Sequence, residues 1–90
     1  MAEYRLLIKP SAAKEIDAIG IKRDRQRLVG RIQSLATEPR PSGCEKIAGP
    51  VALFRVRQGP YRVIYTVDDA RRSVEVIKVG HRREVYRSVR

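Results

Sequence analysis

The sequence predicts an α+β domain: one N-terminal strand, two helices and then a three-stranded antiparallel meander, with the helices packed on one face of the sheet. Three observations predict it. Apolar residues recur at helical spacing in the first half of the chain and at a period of two in the second half. Proline, glycine and aspartate clusters fall between those stretches. A chain of 90 residues, 42% hydrophobic and 33% charged, is enough for one hydrophobic core and not for two, so a single domain over residues 1–90 is expected.

The elements follow in order. "EYRLLIKP" reads as a short strand, which Pro10 ends while Ser11 offers a helix N-cap. In "SAAKEIDAIG" Ile16 and Ile19 lie three apart on one helical face, and Gly20 is the expected stop. From about Lys22 to Ala36 a second helix is expected, with Leu28, Ile32 and Leu35 as its apolar stripe and Arg23, Arg27 and Arg31 four apart on another face. That basic row is either a solvated face or a binding surface. "TEPRPSG" breaks the pattern, and "CEKIAGPVA" reads as a loop. "ALFRVRQ" alternates, setting Phe54 and Val56 against Arg55 and Arg57; "PYRVIYTV" sets Val63, Tyr65 and Val67 against Arg62, Ile64 and Thr66. Turn residues "RQGP" and "DDAR" make both connections hairpins, and "SVEVIKV" closes the sheet before a valine-glycine break.

Charge narrows the function. Twenty Lys and Arg against ten Asp and Glu leave +10, with a pI near 10.7 and a mean hydropathy of -0.42, so the partner is an anion. Nucleic acid fits this balance, and an acidic protein surface fits it as well. A basic membrane binder would carry large aromatics opposite its charges, whereas the chain has no Trp and one Phe. No apolar run approaches the roughly 20 residues of a membrane span, and the N-terminus lacks the order of a signal peptide; the cytoplasm is the expected compartment. Cys44 is the sole cysteine and His81 the sole histidine, which points to a structural thiol and to no metal and no cofactor.

Arg55 and Arg57 point the same way from one strand, and Arg62 follows a tight turn on the next. Such a cluster suits a phosphate or carboxylate, because each guanidinium offers a planar fork of donors. Lys46, in the loop before them, joins Arg55 and Arg57 as a candidate RNA- or phosphate-binding residue.

"RVRQGPYRVIYTVDD", "VEVIKVGHRREVYR" and the loop "KIAG" resemble the RelE branch of the RelE/ParE toxin superfamily, and the predicted element order is similar to that family's fold. The resemblance implies a toxin of a toxin–antitoxin pair that enters the ribosomal A site and cleaves translated mRNA. It also implies a cognate antitoxin, acidic and DNA-binding, that wraps the toxin in a hetero-oligomer. By the same resemblance Arg62 is a catalytic arginine, Arg82 the arginine beyond the valine-glycine break, and Tyr86 the C-terminal tyrosine. The family's paired strand lysines are here Arg55 and Arg57. An arginine stays charged and is a poor general base, so the base must lie elsewhere.

Metal-free RNA cleavage uses the substrate's own 2′-hydroxyl as nucleophile. The protein must then remove a proton, stabilise the phosphorane and protonate the 5′-oxygen. Arg55, Arg57, Arg62 and Arg82 suit the charge-stabilising role. His81 suits proton transfer, because imidazole is the side chain that ordinarily exchanges protons near neutral pH; its plain alternative is an exposed surface residue. Tyr86 stacks on a base, assists proton transfer or caps the sheet. Asp68 and Asp69 belong to a turn. Two other functions remain open: a ParE-like inhibitor of DNA gyrase, and a binding module for RNA or an acidic peptide without turnover.

Overall fold

The computed structural model describes residues 3–47 and 53–81. In chain order it contains β1 (Arg5–Ile8), α1 (Pro10–Asp17), α2 (Lys22–Ser34), β2 (Glu45–Ile47), β3 (Leu53–Gln58), β4 (Tyr61–Asp68) and β5 (Ser73–His81). The strands form one sheet in the order β1-β5-β4-β3-β2. β1 runs parallel to β5, and the other neighbours are antiparallel. The class is therefore the α+β arrangement expected, with one more strand: Glu45–Ile47, expected as loop, pairs with Leu53–Arg55. Three residues are too few to show a period of two.

Helix α1 begins two residues earlier than its serine suggests. Lys9 is the capping residue and Pro10 occupies the first turn, where its missing N–H costs nothing because that donor has no intrahelical partner. Ser11 is thus inside the helix. The other end also differs: Ala18 caps α1, and Gly20 does not adopt the positive φ of a glycine cap. The turn after α1 is held instead by Arg25, whose Nη1 donates to the Ile19 carbonyl at 2.7 Å. α2 ends at Ser34, two residues short of the expected end, and Leu35 caps it.

One face of the sheet carries the core. Ala12, Ile16 and Ile19 of the α1 segment and Leu28, Ile32 and Leu35 of the α2 segment bury against Val56, Val63, Tyr65, Val74, Val76 and Val79. Each valine, leucine and isoleucine among them contributes roughly 1.5–3 kcal/mol on burial. Tyr65 is fully buried, and its hydroxyl donates to the Pro39 carbonyl at 2.7 Å. Burial pushes that phenol well above its ordinary range. Phe54 stacks on the Tyr65 ring with centroids 5.8 Å apart, and Arg40 lies over Phe54.

The spacing of the β5 valines has a structural cause. Ile64 pairs with Lys78 but Tyr65 pairs with Val76, so Ile77 is an extra residue. This bulge resets the alternation and lets Val74, Val76 and Val79 all face the helices. β5 also runs on through Gly80 to His81, so the valine-glycine pair does not end the strand.

Both hairpins form. Gly59 has φ +60 between the paired Gln58 and Tyr61, which is the first central position of a type II′ turn and favours glycine. In the second hairpin Asp68 accepts the Arg71 N–H at 3.0 Å. Asp69 accepts the Tyr4 hydroxyl at 2.7 Å and pairs with Arg40 at 2.7 Å, tying this hairpin to the residue before β1 and to the segment after α2. Among the described residues no helix is long and apolar enough to cross a membrane.

Candidate functional site

The face of the sheet away from the helices carries the arginines. Arg57 stands directly opposite Arg62 across the β3–β4 ladder, and Arg55 stands opposite Ile64 on one side and Glu45 on the other. Paired residues share a face and neighbours along a strand alternate. The three guanidiniums therefore rise from one surface within two rungs of the ladder.

Two features shape that surface electrostatically. Directly opposed like charges repel across a sheet ladder, so the Arg57–Arg62 rung concentrates positive charge. Glu45 offsets part of it. Its carboxylate is ion-paired with Arg55, and its pKa is held below the usual carboxylate range by the Arg55 hydrogen bond first, then by Arg55's charge, with Arg57 and Arg62 adding to it. Ile64 between them is fully buried although it lies outside the helix-side cluster. An apolar floor beneath the charges lowers the local dielectric and strengthens any ionic contact made there.

The expected site residues divide across the sheet. Arg55, Arg57 and Arg62 are brought together. Lys46 pairs with Phe54 and so belongs to the helix side. His81 pairs with Tyr61, a residue of the core periphery, and its ring meets the Tyr61 ring edge-on with centroids 6.4 Å apart. It too is on the helix side by register, although it sits at the strand end, one residue beyond the Gly80 that pairs with Arg62. Arg82 and Tyr86 lie outside the described residues. Of the helical row, Arg23 and Arg27 are exposed and Arg31 is partly buried.

Glu45 is the residue that sequence reasoning missed. Its place on the arginine face depends on β2, and the signal available, a carboxylate two residues before Ile47, carries no period. Among the described residues there is no group of three or more His, Cys, Asp or Glu side chains able to hold a metal ion.

The arrangement of two helices on one face of a mixed sheet recurs among known proteins. Residues 6–86 match the family described as the ParE toxin of the type II toxin–antitoxin system, parDE. Toxin RelE of Mycobacterium tuberculosis (strain ATCC 25618 / H37Rv) is 32% identical over 74 residues, covering 72% of this chain and 76% of that protein. Toxin RelG of the same organism is 41% identical over 34 residues, and the match spans only 38% of this chain and 39% of that toxin's length. In the crystal structure of the archaeal RelE–RelB complex from Pyrococcus horikoshii OT3, one chain superposes with a TM-score of 0.79 at 28% identity, covering 91% of this chain and 98% of the other. The chain belongs to the RelE/ParE superfamily, the toxins of type II toxin–antitoxin systems.

Proposed function

We propose that this toxin is a metal-independent endoribonuclease of the RelE kind, which cuts translated mRNA in the ribosomal A site by attack of the substrate's own 2′-hydroxyl. The observation that carries this reading is the Arg57–Arg62 rung with Arg55 beside it. A sheet that keeps opposed cations over an apolar floor is poised for a dianionic centre, and the pentavalent phosphorane is such a centre. Arg55, Arg57 and Arg62 stabilise that charge. Glu45, held ionised by three arginines, is too weak a base to take the 2′-hydroxyl proton efficiently, and its part is to hold Arg55 in place. His81 remains the proton-transfer residue, reached where RNA passes the strand end, with Arg82 and Tyr86 completing the site. The partner in the resting cell is a cognate antitoxin; the Pyrococcus relative is a RelE–RelB complex, and a surface of +10 favours an acidic cover.

The test is to incubate the purified chain with translating ribosomes and map the mRNA ends. Cuts at A-site codons leaving a 2′,3′-cyclic phosphate or 3′-phosphate are expected, and a 2′-deoxy nucleotide at the scissile position should abolish them. Intact mRNA together with inhibited DNA gyrase would overturn this reading in favour of a gyrase poison, the alternative that the match to the ParE toxin family supports. Intact mRNA with salt-dependent RNA binding and active gyrase would leave a binding module.

A further inference from the structure

Strand β5 is held unevenly along its length. From Ser73 to Val76 it lies between β1 and β4. There β1 ends: Ile8 pairs with Val76, the Lys9 N–H donates to the Val76 carbonyl at 3.0 Å, and Pro10 turns the chain into α1. From Ile77 to His81 the strand has β4 on one side and none of the described strands on the other. Side chains beyond Val79 do little to hold it, since Gly80 has none and a cavity of about 360 Å³ opens among Ile19, Gly20, Tyr61, Gly80 and His81. One group of α1 reaches this free edge. Glu15 Oε1 accepts the Val79 N–H at 3.0 Å, taking the place of the strand that is missing there. Its Oε2 is bonded to Lys78, and both side chains are three-quarters buried.

The bond to Val79 falls just past the bulge. Ile77 is the extra residue, and the register that follows it sets Val79 opposite Val63, Gly80 opposite Arg62 and His81 opposite Tyr61. A slip of one residue would exchange the faces of every side chain beyond it, and a strand end with few partners is where a sheet opens first. We infer that Glu15 is a positioning residue for RNA cleavage: by capping the free edge of β5 it fixes His81, and the point from which the chain runs on to Arg82, in relation to Arg62. It acts through the Val79 backbone and not on the phosphate, while Lys78 orients the carboxylate. The inference rests on the nuclease reading above.

Two substitutions separate the reach of this side chain from its charge. Glu15→Gln loses the charge and keeps an oxygen for the Val79 N–H, whereas Glu15→Asp keeps the charge and is one methylene too short. On translating ribosomes under single turnover, Glu15→Asp and Glu15→Ala should cut about tenfold more slowly than the parent, with the half-saturating toxin concentration within about twofold, because misplacing a reacting group costs rate more than binding. Glu15→Gln should stay within about threefold of the parent, as should Lys78→Met, which leaves the carboxylate on Val79. Hydrogen exchange gives a readout that general destabilisation would not. The Val79 amide should exchange about tenfold faster in the aspartate and alanine variants, while the Val74 and Ile32 amides keep the parent's protection. Equal slowing by Glu15→Gln and Glu15→Asp would make the charge responsible and end the inference. Slowing matched by lost protection at Val74 and Ile32 would end it too. Where the alanine variant does not fold, the aspartate variant decides. A parent chain that leaves mRNA intact overturns the nuclease reading and this role with it; a parent that cuts, with Glu15→Asp and Glu15→Ala cutting equally well, overturns the positioning role alone.

Discussion

The two faces of the sheet obey opposite rules. Toward the helices, Val56, Val63, Tyr65, Val74, Val76 and Val79 meet apolar partners and are at most 1% exposed; every neighbour stabilises the next. Away from them, Arg57 faces Arg62, and Glu45, bonded to Arg55, sits on the edge strand β2. The difference teaches where stability and function separate. A covered face is organised to be full, whereas the arginine face retains charge that folding alone does not require.

The comparison is broken most forcefully on the covered face. Leu28→Ala, at a position with no exposure, should cost about 2–5 kcal/mol of unfolding free energy, read by denaturant titration. A loss under 1 kcal/mol would mean that α2 is not seated as described. On the other face the largest effect should appear in activity and not in folding. Arg62→Ala should slow mRNA cleavage about 100-fold, on the order of 3 kcal/mol of transition-state stabilisation, with the melting temperature near that of the parent.

Arg57→Ala sharpens the contrast further. Removing one member of an opposed like-charge pair should leave stability unchanged or raise it by a few tenths of a kcal/mol, while RNA binding weakens and its salt slope flattens. Destabilisation by more than 1 kcal/mol would place Arg57 among the structural residues. Glu45→Gln should act in the reverse direction, strengthening RNA binding at low salt because one anion leaves the arginine face; weaker binding would show that holding Arg55 in place outweighs the charge removed.

The smallest effect expected is a pH dependence at the second hairpin. Arg40 first, then Tyr4, hold the Asp69 carboxyl below the usual carboxylate range. A depressed carboxylate contributes stability that is complete above its unfolded pKa of about 3.9 and is lost as pH falls through the lower folded value. Asp69→Asn should therefore lower stability at pH 7, with the gap closing in acid as the pH falls below the usual carboxylate range. A gap that persists unchanged at pH 2 would mean that packing of the side chain, not its charge, is what matters.

Much of this was legible in the chain itself. The stripe Leu28, Ile32, Leu35 and the alternation of Phe54 and Val56 with Arg55 and Arg57 are local patterns, since the period of a helix or strand fixes which side chains share a face. Composition gave the cationic character, and "RQGP" gave the hairpin because glycine suits the positive φ at position 59. Tertiary structure decided the rest. β2 exists only because β3 offers it hydrogen-bond partners, and with it Glu45 reaches Arg55. The parallel pairing of β1 with β5 joins residues nearly seventy positions apart, for which no local period exists. The bulge at Ile77 and the continuation of β5 through Gly80 set His81 against Tyr61 and not among the arginines. Which face a residue occupies changes with a shift of one position in register, and register is a property of two strands together.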